Sequence, residues 1–193
     1  MPQREDVPVF AIISRLASHK GLDLVKYIME DFVANNDVQL VVLGKGEYDY
    51  ECYFNYLSCK YRDKVSAQLL YDRTLSKKIY AASDMFIMPS KSEPCGLSQM
   101  IASRYGSVPI TRETGGLYDS IKGYYVNEEG EVCGNGFTFR NYNAHELQDR
   151  MYAALALYKQ PAEWQKLVKK VMREDFSWEK SAEQYLDLYS KLL

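Results

Sequence analysis

Stretches of apolar sequence alternate with stretches in which apolar residues recur at helical spacing, and this alternation constrains the fold more than any other feature. Repeated strand, helix and strand units pack as a parallel sheet with helices on both faces, the α/β class. Val7 to Ile13 predicts a first strand, and Gly21 to Asn35 a helix with Leu22, Val25, Met29 and Phe32 on one stripe. Val38 to Leu43 predicts a second strand, ended by Gly44-Lys45-Gly46, and Tyr48 to Lys60 the next helix. Val65 to Leu70, Asp84 to Met88, Val108 to Thr111 and Gly136 to Arg140 predict further strands. Helices are expected at Leu75 to Ala82, Leu97 to Tyr105 and Ala144 to Tyr158, and a loop or hairpin over Gly123 to Gly134. The last forty residues read as helical, with breaks at Gln160-Pro161 and Phe176-Ser177-Trp178, where Ser177 can cap the terminal helix. No repeat or linker interrupts residues 1–193, which predicts one Rossmann-like domain whose helices from about 161 to 193 close the chain.

Two junctions in that pattern carry chemistry. Ile87-Met88-Pro89-Ser90 closes an apolar strand, and Ser92-Glu93-Pro94-Cys95-Gly96-Leu97 leads into a helix. Proline disfavours the α region for its predecessor, so Glu93 is held on a loop. Gly96 and Leu97 then open a helix whose free N–H groups and dipole favour an anion. Thr114-Gly115-Gly116-Leu117 repeats the arrangement after the next strand. The expected result is an anion site with a carboxylate beside it.

Composition excludes several classes of partner. The chain has 193 residues, 47% of them hydrophobic and 26% charged, which suffices for a sizeable core. A net charge of −2 gives no electrostatic case for nucleic acid or an anionic membrane, so an anion must be held by a few local cations. No apolar run approaches the roughly 20 residues of a membrane span. The four cysteines form no C-x-x-C pair, which favours a reducing, cytoplasmic setting. No Cys/His cluster and no D-x-D pair at a strand end suggests a metal, so neither metal nor other cofactor is expected.

Ser14-Arg15-Leu16 with Lys20-Gly21-Leu22-Asp23, then Tyr71-Asp72, Glu93-Pro94-Cys95-Gly96-Leu97, Arg104-Tyr105-Gly106, Thr114-Gly115-Gly116-Leu117-Tyr118-Asp119 and Phe176-Ser177-Trp178 resemble, in order and spacing, the nucleotide-binding half of bacterial glycogen synthases and plant starch synthases. The resemblance covers essentially the whole chain. It implies the C-terminal lobe of a two-lobed GT-B glycosyltransferase, in a retaining enzyme extending an α-1,4-glucan from ADP-glucose. The cytoplasm is then the expected compartment, or the plastid in a plant.

The resemblance assigns roles residue by residue. Loss of a nucleoside diphosphate builds negative charge, for which Arg15 and Lys20 are the candidate cations. Taken alone, two cations among 24 Lys and Arg read as solvated surface charges, and it is the resemblance that reverses that reading. Glu93 matches the glutamate that contacts the donor sugar, and Tyr71 the position that stacks on adenine. Gly96, Leu97, Thr114, Gly115 and Gly116 would offer N–H groups to phosphate or sugar, with Gly44 a weaker candidate. Cys95 reads as a close-packing residue of the loop rather than a nucleophile. Ile101 stands where many related transferases have a second glutamate.

The family's Lys-x-Gly-Gly-Leu loop and the histidine of the other lobe have no counterpart here. The partners implied are ADP or ADP-glucose, and a glucan acceptor held through that other lobe. The alternatives are an ADP or ADP-glucose binding module without turnover, or a related transferase using another sugar nucleotide. The terminal helix carries Ala182, Tyr185, Leu186 and Tyr189 on one stripe, suited to the other lobe or to self-association.

Overall fold

A computed structural model describes residues 1–192. The chain runs β1 (Val9–Ile13), α1 (Leu22–Asn35), β2 (Gln39–Leu43), α2 (Tyr48–Lys60), β3 (Val65–Gln68), α3 (Arg73–Ala82) and β4 (Met85–Met88). It continues through α4 (Ser98–Tyr105), β5 (Val108–Arg112), α5 (Gly115–Ser120), a hairpin of β6 (Tyr125–Val126) and β7 (Val132–Cys133), then β8 (Phe137–Phe139), α6 (Ala144–Tyr158), α7 (Pro161–Arg173) and α8 (Trp178–Ser190). Six strands form one sheet in the order β3-β2-β1-β4-β5-β8, every neighbouring pair parallel. This is the Rossmann-like α/β fold expected from the alternation, and its strand order reverses direction between β1 and β4.

Burial explains why these segments are strands. All four residues of β4 are buried, the continuous apolar run of a central parallel strand covered on both faces. Along β1, Phe10 and Ile12 point into the larger core with α1, α2 and α6, while Ala11 points into the smaller core beneath α3, α4 and α5. Helix starts carry local signals too. Asp72 accepts the Leu75 N–H ahead of α3, Asn143 accepts the His145 and Glu146 N–H groups ahead of α6, and Pro161 opens α7. Gly21 turns the chain into α1 at φ 73°, and a Cβ there would lie 2.1 Å from the Pro89 carbonyl oxygen. Only glycine lets the loop after β1 approach the loop after β4 this closely.

The structure departs from expectation at β3. β3 stops at Gln68 instead of reaching Leu70. Leu69 and Leu70 leave the sheet to carry Tyr71 to its edge, and Leu70 is 42% exposed. α8, capped by Ser177 as expected, has no buried residue, so its apolar stripe faces solvent. Leu193, included in that helix from sequence, lies outside the described residues. All four cysteines are free thiols, and no helix of the described residues is long and apolar enough to cross a membrane.

Candidate functional site

Every sequence-predicted site residue lies at one edge of the sheet, in the loops following the carboxyl ends of the strands or, for Gly115 and Gly116, in the first turn of α5. Open α/β sheets hold ligands at this edge, where the strand order reverses. The loop after β1 carries Arg15 and Lys20, and the loop after β4 carries Glu93. Lys20 Nζ meets Glu93 Oε2 at 2.5 Å across this reversal point, with side-chain exposures of only 16% and 10%. Ser90 Oγ donates to the same carboxylate oxygen at 3.3 Å. Removing one member of such a buried pair leaves an uncompensated charge, at a cost of about 3–5 kcal/mol.

Arg15 does not join that pair. It is exposed and lines a cavity of about 320 Å³ together with Gly44, Lys45, Leu70, Tyr71 and Asp72. Tyr71 is 87% exposed, with a ring face free for stacking. The edge thus offers an aromatic face and an exposed cation at one position and a paired, largely buried cation and carboxylate at another.

The backbone donors divide differently from the sequence expectation. Gly116 N–H already donates to the Glu93 carbonyl at 3.0 Å, Thr114 N–H to the Arg112 carbonyl at 2.9 Å, and Gly44 N–H to the Gln68 carbonyl at 3.1 Å. These three residues build the site instead of offering it their N–H groups. A Cβ on Gly116 would lie 2.0 Å from the Cys95 carbonyl oxygen, so the two glycine-containing loops are in backbone contact. Gly96, Leu97 and Gly115 remain at the entrances of α4 and α5, where N–H groups point outward. Cys95 packs through its backbone, whose Cα and carbonyl lie against Gly116, while the residue itself is exposed.

Sequence reasoning missed three groups that frame the site. Gln99, buried at the start of α4, donates to the Gly96 carbonyl at 2.9 Å and to Ser120 Oγ at 3.0 Å, stapling α4 to α5. Arg112, the last residue of β5, donates through Nη1 to the Lys91 carbonyl at 2.8 Å. Its guanidinium carbon lies 5.5 Å from the Tyr142 ring centroid, and the Tyr142 hydroxyl donates to the Asp23 carboxylate. Burial, reinforced by Asp23, pushes the Tyr142 hydroxyl well above the ordinary phenol range. The available signal was position, since Arg112 ends one parallel strand and Tyr142 closely follows another.

Residues 2–171 match the family model described as glycosyl transferases group 1. Glycogen synthase of Bacillus subtilis is 46% identical over 192 residues, covering 100% of this chain and 39% of the relative. Glycogen synthase of Desulforamulus reducens is 52% identical over 195 residues, again covering 100% of this chain and 39% of the relative. The catalytic domain of starch synthase IV from Arabidopsis thaliana, solved with ADP and acarbose, superposes with a TM-score of 0.83 at 38% identity, covering 97% of this chain and 39% of that one. The chain therefore spans about two fifths of the length of the relatives it matches.

Proposed function

Because the chain belongs to the group 1 glycosyl transferases, we propose that residues 1–193 form the donor-binding lobe of a glycogen or starch synthase. The whole enzyme transfers glucose from ADP-glucose to the non-reducing end of an α-1,4-glucan with retention. The observation that carries the reading is the Lys20–Glu93 pair at the reversal point of the sheet, beside the cavity of Arg15, Gly44 and Tyr71. In this reading adenine stacks on Tyr71, and the diphosphate lies between Arg15, Lys20 and the outward N–H groups of Gly96, Leu97 and Gly115. Fixed cations and N–H dipoles stabilise the charge that builds on departing ADP, so no metal is required. Glu93 accepts hydrogen bonds from the glucosyl hydroxyls beside the electron-poor anomeric carbon.

Coverage of only 39% of the relatives supports a second statement: this chain by itself binds ADP or ADP-glucose without turnover. The acceptor is then held by the remainder of the enzyme. The free thiols favour a reducing compartment, the cytoplasm or, in a plant, the plastid. Calorimetric titration with ADP, UDP, ADP-glucose and UDP-glucose, each with and without a chelator, tests the reading. The adenine nucleotides should bind more tightly, with affinity indifferent to chelation. Preference for uridine nucleotides would move the chain to a related transferase, and loss of binding on chelation would overturn the metal-free site.

A further inference from the structure

We propose that Arg112 and Tyr142 are positioning residues for the Lys20–Glu93 pair, joined into a bracket that fixes the loops after β1 and β4 relative to each other. The inference rests on the donor-site reading for its consequence, though the bracket itself is a matter of contacts.

The bracket closes on itself. Arg112 Nη1 donates to the Lys91 carbonyl at 2.8 Å and the Ser90 carbonyl at 3.4 Å, which pins the segment leading to Glu93 against the end of β5. Lys91 N–H donates to the His19 carbonyl at 2.9 Å, so that segment is tied directly to the residue before Lys20. Tyr142, from the loop after β8, presents its ring to Arg112 at 5.5 Å and to Lys91 Nζ at 5.7 Å. Its hydroxyl reaches Asp23 in the first turn of α1, just beyond Lys20 and the Gly21 turn. Four elements are thereby linked around one ion pair.

The choice of partners matters as much as the connectivity. Lys20, Lys91 and Arg112 are three cations within the bracket, and each has its own contacts. Arg112 is held through Nη1 by two carbonyls and across its face by a ring, with its buried Nε left without a partner, an arrangement open to a planar guanidinium and not to an ammonium. Lys20 alone takes Glu93. The bracket thus keeps the pair in one geometry.

The test uses Arg112→Gln, Arg112→Lys, Tyr142→Leu and Tyr142→Phe in the chain. Without nucleotide, amide hydrogen exchange at Lys20, Gly21 and Lys91 should accelerate by about tenfold in Arg112→Gln and Tyr142→Leu. The Leu16, Gly44 and Glu47 amides, bonded within the neighbouring loops, should not change. Arg112→Lys should behave like Arg112→Gln, whereas Tyr142→Phe, which keeps the ring face, should recover most of the protection. ADP should bind Arg112→Gln about tenfold more weakly, whereas adding Arg112→Gln to Lys20→Ala should bring no loss beyond that of Lys20→Ala alone, because Arg112 acts through Lys20. Unchanged exchange at Lys20, Gly21 and Lys91 would overturn the bracket. So would an ADP loss that simply adds to that of Lys20→Ala. Should Arg112→Gln not fold, the pair Tyr142→Leu and Tyr142→Phe decides through exchange alone. If the unsubstituted chain binds no ADP, the donor-site reading fails while the exchange pattern still decides the bracket.

Discussion

At the scale of single residues, exposure separates two cations that look alike in sequence. Arg15 is exposed and forms no ion pair among the described residues, so Arg15→Ala should leave stability within about 0.5 kcal/mol of the parent. It should still weaken ADP binding by about 1–3 kcal/mol, the loss of a charge-assisted hydrogen bond. Lys20→Ala should lower both stability and ADP affinity, because it strands the buried Glu93 carboxylate. Parallel calorimetry of melting and of ADP binding checks the contrast, and equal melting losses in the two variants would contradict it. Gly116→Ala places a Cβ 2.0 Å from the Cys95 carbonyl and must push the Glu93 loop away. Lower melting temperature together with weaker ADP binding is the expected outcome. Unaltered ADP affinity in that variant would mean that the loop contact does not shape the site.

Among the elements, those defined by periodicity were legible in advance and those defined by contact were not. α2 and α6 begin and end where the apolar stripes and flanking residues placed them, and the parallel strands emerged from apolar runs bounded by turn residues. β3 came out shorter because an apolar pair, Leu69-Leu70, is spent on delivering Tyr71. The candidate site followed the same division. Its carboxylate, cations and glycines were visible as types at strand ends, while the Arg112–Tyr142–Asp23 contacts join residues distant in sequence and have no periodic signature. Asp84 belongs to this second group: its carboxylate accepts the Val9 N–H at 2.8 Å just before β4, and burial raises its pKa. A raised carboxyl pKa favours the folded state below the unfolded value, about 3.9, and that contribution is lost as pH rises through the folded value. Asp84→Asn should therefore gain in melting temperature relative to the parent between pH 4 and pH 7. A difference that stays flat with pH would exclude the burial effect. α8 offers a simpler test, since it buries nothing among the described residues. Deleting residues 178–193 should shift the melting temperature by no more than about 2 °C, and a large drop would show that α8 packs on the rest of the chain in solution.

For the molecule as a whole, the proposed donor edge belongs to a chain that spans about two fifths of the length of its relatives. Glycosyl transfer needs the acceptor hydroxyl held against the anomeric carbon in a site that excludes water. We therefore expect the chain alone to incorporate no labelled glucose from ADP-glucose into glycogen, with a full-length synthase as the active control. Turnover at a comparable rate would overturn the proposed division of labour. The exposed α8 stripe is available to the rest of such an enzyme or to a second copy of the chain. The most direct test of the central claim, that the carboxyl edge of this sheet is an ADP site, is an amide NMR titration of the chain with ADP in the presence of a chelator. We expect saturable shifts at Arg15, Lys20, Gly44, Tyr71, Gly96, Leu97 and Gly115, with the opposite edge around Asp84 and Trp164 unmoved. Shifts centred on that opposite edge, or none at saturating ADP, would contradict it.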